Sequence, residues 1–280
     1  MHTNENNFLS FDGTTIFYRS LEAEGPEKAV CLILHGLHEH SERYIHVMEE
    51  FSSWGISTYA PDHRGHGRTA KTMGHIESFQ KVRKDIIQLT EYIRNSHPEK
   101  PLFILGHSMG GLLTLYTLEE TQDLFTGAIL SGAAMDVAGS VPGIMKSLSG
   151  LLAAVLPLLP VQELDTDNAT KNRKMVKESK SDPFFNHGKV RAKTGAEMLK
   201  TMDYLKPRLK NIKTPVLILQ GTEDVLVPTT AAELIFREIG SEDKKKKLFD
   251  GLYHELLNEP ERGEVFAIIQ QWIEKRTAGS

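Results

Sequence analysis

The sequence predicts an α/β protein, a mainly parallel sheet with helices on both faces, interrupted once by a helical insertion. Three observations predict it: short apolar runs alternate with amphipathic helical patterns, one such run leads into a serine between two glycines, and the alternation fails between about residues 135 and 210.

The runs come first. "AVCLILHG" (29–36), "ISTYAPD" (56–62), "PLFILGHS" (101–108), "FTGAILSGA" (125–133) and "TPVLILQG" (214–221) are bounded by turn residues and read as strands buried on both faces. Between them, residues 78–97 place Phe79, Val82, Ile86, Leu89 and Ile93 on one helical stripe. Thr230 with Glu233 forms a capping-box pattern for a later helix, and Asn258 with Glu261 opens the last one, striped by Val265, Ile268, Ile269, Trp272 and Ile273. "KKKKLFDG" reads as a short strand whose lysines are a solvated edge.

The excursion from 135 to 210 is too long for a plain loop and carries no strand signal, so it reads as a helical cap. The expected layout is core (1–134), cap (135–210) and core again (211–280). The apolar part of the cap is broken by Pro142, Lys146, Pro157 and Pro160 and falls short of the ~20 residues of a membrane span. Within it Ile144, Leu148, Leu151, Leu152, Val155 and Leu159 recur at helical spacing. Two readings of that stripe stand side by side: the wall of an acyl tunnel, which places Leu148, Leu151, Leu152 and Val155 in the substrate pocket, or a face that docks on membranes or micelles.

Composition narrows the function. The 280 residues are 40% apolar and 25% charged with a net charge of −4, and no basic helix or arginine-rich patch suggests nucleic acid. Cys31 is the only cysteine, which rules out an intrachain disulfide and fits a reducing, cytoplasmic compartment. "MHTNENNFLS" has no basic or apolar leader pattern, so no signal peptide is expected.

Chemistry gathers at "LFILGHSMGG" (102–111), a G-x-S-x-G between a buried strand and the helix-forming "MGGLLTLYTLEET". Glycines at 106 and 110 let strand and helix close into a sharp turn that pushes the Ser108 hydroxyl out and aims the Met109 N–H at developing negative charge. A base must also stand at a strand's carboxyl end, and His254 does, whereas His2, His46, His97 and His187 read as structural or surface residues. Asp224, three residues past the strand ending at Gly221, completes the order Ser…Asp…His; Glu223 and Asp62 are rival carboxylates. After the first buried strand, His35-Gly36 places the Leu37 N–H as a second oxyanion donor. His35, Gly36 and His107 flank the serine and this donor and are taken with the substrate pocket. Reading His35, His38 and His40 as metal ligands lacks a carboxylate or cysteine partner and leaves the serine unexplained, so no metal or cofactor is expected.

The motifs "HGLHEHSERY", "DHRGHGRT", "GHSMGG", "SDPF", "LQGTEDVLVP" and "LYHELLNEPER", in that order, resemble the monoacylglycerol lipase and lysophospholipase-like group of α/β-hydrolases, from Phe11 to Ile273. The resemblance implies an α/β-hydrolase fold, a triad of Ser108, Asp224 and His254, an oxyanion hole of Leu37 and Met109, and Glu39, His40 and Arg43 lining or bracing the pocket. It implies a single-chain lipid ester as substrate, foremost a monoacylglycerol, with a lysophospholipid or short-chain ester as alternative; a small-substrate peptidase and a non-catalytic ligand-binding relative are the remaining readings. Vertebrate monoacylglycerol lipases carry a tyrosine two residues before their Ser-Asp-Pro, where this chain has Ser179.

Overall fold

A computed structural model describes residues 3–136, 150 and 152–277. The strands run β1 (Asn4–Leu9), β2 (Thr15–Leu21), β3 (Ala29–Leu34), β4 (Ile56–Pro61), β5 (Leu102–His107), β6 (Gly127–Ser131), β9 (Val216–Gly221) and β10 (Lys244–Phe249), with β7 (Pro160–Gln162) and β8 (Val190–Arg191) in the excursion. The helices are α1 (Ile45–Ser53), α2 (Phe79–Ser96), α3 (Met109–Thr121), α4 (Arg173–Ser181), α5 (Ala192–Leu205), α6 (Thr229–Glu238) and α7 (Arg262–Thr277).

Among the described residues the main sheet has eight strands, ordered β1-β2-β4-β3-β5-β6-β9-β10. From β4 to β10 all neighbours are parallel, while β2 pairs antiparallel with β1 and β4 at one edge. Period-two alternation sends Val30, Leu32, Leu34, Leu102 and Ile104 to a layer under α2, α3, α5 and α6. Cys31, Ile33, Phe103 and Leu105 face the opposite layer, covered by α1 and α7. The stripe Phe79, Val82, Ile86, Leu89 and Ile93 is wholly buried, and Ser78 caps its helix by accepting from the Lys81 N–H. At the other edge β10 exposes Lys245 and Lys247 to solvent.

Three local expectations need correction. Helix α7 starts at Arg262, not at Asn258, because Glu259 precedes Pro260 and is held extended (ψ 152°). Asn258 instead ends a 3₁₀ turn and donates its Nδ2 to Glu255. Thr230 does not cap α6: extended Pro228 leads straight into Thr229, so Thr230 already lies inside the helix. The excursion is also not free of strands, since β7 and β8 form a small antiparallel ribbon beside α4 and α5.

Candidate active site

Ser108 sits where β5 turns into α3, at φ 52° and ψ −117°, a conformation a side-chain-bearing residue adopts only under constraint. The constraint is visible: the Ser108 N–H donates to the Ser131 carbonyl and its own carbonyl accepts from Gly111, Leu112 and Ala134. A Cβ at Gly110 would run into the Leu34 carbonyl, and one at Gly106 into the Gly110 carbonyl and the Thr114 hydroxyl, so only glycines allow this approach.

Asp224 and His254 come from loops after β9 and β10. The His254 Nδ1–H donates to Asp224 Oδ2 at 2.7 Å. Asp224 is held in turn by Gln220 Nε2 on Oδ2 and by the Leu226 and Val227 amides on Oδ1. Burial alone would raise its carboxyl pKa, but the His254 charge, the imidazole N–H and the two amides outweigh burial and bring it below the ordinary value. His254 shows the opposite balance: burial would lower it, yet the Asp224 charge and hydrogen bond raise it above the ordinary histidine value. The ring rests against His107, with centroids 4.6 Å apart, and lies over Gly132, where a Cβ would come within 3.0 Å of Nδ1. The rival carboxylates are placed elsewhere. Glu223 is exposed, and Asp62 accepts the Ser41 and Arg68 amides.

The loop after β3 runs close over the serine. A Cβ on Gly36 would lie 3.3 Å from the Ser108 Cβ and 2.7 Å from Glu39. Glu39 Oε2 takes the Gly36 N–H at 2.8 Å, and His38 turns the chain at φ 73°. That leaves the next amide, Leu37, without an acceptor among the described residues, and the Met109 N–H likewise. Glu39 is anchored further by Tyr44 and by Arg43 Nε. Burial would raise its carboxyl, but electrostatic attraction to the His107 ring and the Arg43 guanidinium brings it down to about 2.

Ser108, His254, Leu37, Gly36, Glu39 and His107 share one cavity of about 80 Å³, far below the ~300 Å³ and more of a ligand pocket. It continues past Leu37, Leu164, Met198 and Leu226 into a largely apolar chamber of about 280 Å³. A larger charged cavity of about 640 Å³ lies across Arg43 and does not contain the serine.

Several expected pocket residues stand outside this cavity. His35 is buried behind it: Nδ1–H donates to the Gly36 carbonyl and Nε2 accepts from the His63 amide. His40 turns away to Asp182 Oδ2 at 2.6 Å. Arg43 braces the wall from behind, bridging Glu39, Ser179 and Glu255. Val155, at the end of the helical stretch 152–155, is 67% exposed, and neither it nor Leu152 lines the cavity. Leu148 and Leu151 lie outside the described residues. His35 and His40 point to different partners; among the described residues, His38 packs edge-on against Phe185 with its Nε2 unpaired, and no metal-binding cluster occurs. The sequence reading missed Glu255, Phe185, Met198 and Leu164, all lining the cavity; adjacency to His254 was the one available signal, for Glu255.

A family profile described as serine aminopeptidase, S33, matches residues 25–261. The chain is 31% identical over 269 residues to the monoacylglycerol lipase of Mycolicibacterium smegmatis, covering 96% of both. It is 33% identical over 241 residues to phospholipase YtpA of Bacillus subtilis, covering 85% of this chain and 92% of that one. The crystal structure of Paleococcus ferrophilus monoacylglycerol lipase superposes with a TM-score of 0.84 at 29% identity, covering 93% of this chain and 99% of the other. With the strand order, the elbow at Ser108 and these matches together, the chain belongs to the S33 serine aminopeptidase family of α/β-hydrolases, in its monoacylglycerol lipase-like group, and is a serine ester hydrolase.

Proposed function

We propose that the protein hydrolyses monoacylglycerols to fatty acid and glycerol through Ser108, His254 and Asp224. The observation that carries this reading is the shared cavity: a serine on a constrained elbow, an imidazole held by a buried carboxylate at 2.7 Å, and an apolar chamber leading away from both. In the first half, His254 Nε2 takes the Ser108 proton as Oγ attacks the ester carbonyl. The oxyanion receives the Leu37 and Met109 N–H groups, and His254 protonates the leaving alcohol. In the second, His254 takes a proton from water, hydroxide attacks the acyl-enzyme, and fatty acid leaves as Ser108 regains its proton. The long acyl chain exceeds the space beside Ser108 and passes into the apolar chamber.

A lipid substrate also has to be met at its surface. Val155, Leu156, Leu158, Leu159 and Val161 expose 39–67% of their surface in one stretch. No described helix is long and apolar enough to cross a membrane. This strip is the proposed peripheral contact with membrane or micelle.

The second reading, a lysophospholipase, is favoured by the similarity to the Bacillus phospholipase. Monoacylglycerols, lysophospholipids, p-nitrophenyl esters and aminoacyl amides assayed side by side separate the readings. Fastest turnover of a monoacylglycerol is expected; turnover of the amides alone refutes ester hydrolysis.

A further inference from the structure

The acyl chamber opens on the Leu37, Leu164, Met198 and Leu226 side, so the leaving alcohol faces the remaining wall, where Glu39 and Glu255 stand. Their hydrogen bonds differ in a way that sorts their roles. Glu39 holds three donors at normal lengths: Arg43 Nε on Oε1 at 3.0 Å, and the Gly36 amide and the Tyr44 hydroxyl on Oε2 at 2.8 and 2.9 Å. Arg43 is occupied as well, with Nε on Glu39, Nη1 on Ser179 and Nη2 on Glu255. Glu255 Oε2 accepts from Arg43 and Asn258 at 3.0 and 2.7 Å, but Oε1 has only the longer Arg43 contact at 3.2 Å. The more weakly held oxygen of these two carboxylates is therefore Glu255 Oε1, on the residue next to His254.

Charge sorts the ligand further. Two carboxylates surround a single guanidinium, Asp224 is hydrogen-bonded to His254, and no lysine or arginine lines the cavity among the described residues. A wall with two carboxylates to one guanidinium and a weakly held acceptor suits hydroxyl donors and opposes a phosphate.

We propose that Glu255 is a specificity-determining residue that accepts a hydrogen bond from the hydroxyls of a neutral polyol leaving group and rejects an anionic head group by repulsion. The inference rests on the ester-hydrolase reading with Ser108 as nucleophile. It deepens that reading by assigning head-group choice to one carboxylate outside the catalytic trio. Replacing Glu255 by glutamine leaves Arg43 matched by Glu39 alone, removing the surplus charge while keeping an amide of the same shape.

The test compares kcat/KM for a 1-monoacylglycerol and the lysophosphatidic acid of the same acyl chain, in the same neutral-detergent micelles. The wild type is expected to favour the neutral lipid by about tenfold or more, Glu255→Gln to narrow that ratio by about tenfold, and Glu255→Asp to keep the preference. Cooperative melting certifies each variant. A wild type that turns over both lipids equally overturns the proposal without any variant, and so does an equal shift of the ratio by Gln and Asp. A wild type that cleaves a p-nitrophenyl ester but no monoacylglycerol overturns the functional reading itself, and the head-group assignment with it.

Discussion

At Ser108 two requirements meet in one residue, a hydroxyl that must project and a backbone that resists being placed there. Removing the hydroxyl is expected to abolish hydrolysis in both Ser108→Ala and Ser108→Gly. Only glycine relieves the positive φ, so Ser108→Gly should melt higher than Ser108→Ala, by about 1 kcal/mol in stability. Equal melting temperatures would mean that the elbow stores no strain. His254→Ala should lose as much activity as Ser108→Ala, without further loss in the double variant, because the two act as a unit. Asp224→Asn is expected to cost far more than Glu223→Gln, since Asp224 accepts the imidazole N–H while Glu223 is exposed. The pH profile follows from the raised His254 value: the base works deprotonated, so kcat/KM should fall as pH drops through a midpoint above 6.5. A midpoint below 6.5 would contradict the influence of Asp224.

The loop after β3 and the strip before β7 act as elements, through backbone and surface. Leu37 is proposed to act through its N–H, so Leu37→Ala should change kcat little. Leu37→Pro should lower it by the ~10²–10³ typical of a lost oxyanion donor, in a variant that still melts cooperatively. Leu156→Ser with Leu159→Ser should weaken co-sedimentation with vesicles and turnover of long-chain micellar substrate more than turnover of a short soluble ester. Equal loss on both substrates would remove the docking role. The loop after β3 also packs against the turn after β4 through histidines held neutral. Burial drives His35 and His107 down to about 4 and His38 and His66 to about 3, and His63 well below its ordinary value. An unfolded chain protonates these rings near pH 6.5 while the folded one does not. Stability is therefore present above that value and falls as pH drops toward 4, by on the order of 3 kcal/mol per histidine at most. Denaturant melts at pH 7.5 and 5 should show this loss, and unchanged midpoints would contradict it.

Across the whole molecule, legibility followed continuous apolar runs more than burial itself. The parallel strands from β3 to β9 could be read because both faces are covered and the runs are continuously apolar. β1 was missed because "NENNFL" is polar and exposed on an edge, where pairing is set by a partner strand and not by local pattern, and β2, "TIFYRSL", because its buried residues are mixed with polar ones and form no continuous apolar run. β7 and β8, three and two residues long, carry too few residues for any period to register. At the site, the elbow could be read because glycine spacing reports a backbone constraint. Val155 was misplaced because helical spacing says that a stripe exists, without saying what it faces. Glu255 and the cavity wall from 164 to 198 depend on how the excursion folds back over the sheet, which no local motif encodes.

The excursion leaves the sheet after β6 and returns at β9, and these two strands are hydrogen-bonded neighbours, Ser131 lying opposite Leu219. Because the two strands are parallel, it leaves past Ser131 at the carboxyl end of one and re-enters at Val216 at the amino end of the other, like a handle bolted to the top of one stave and the foot of the next. Such a piece can be lengthened, shortened or exchanged for another without re-threading a single strand. Ser108 stands before the handle and Asp224 and His254 after it, all on the staves, so a graft from a relative would bring new walls to an unchanged reaction centre.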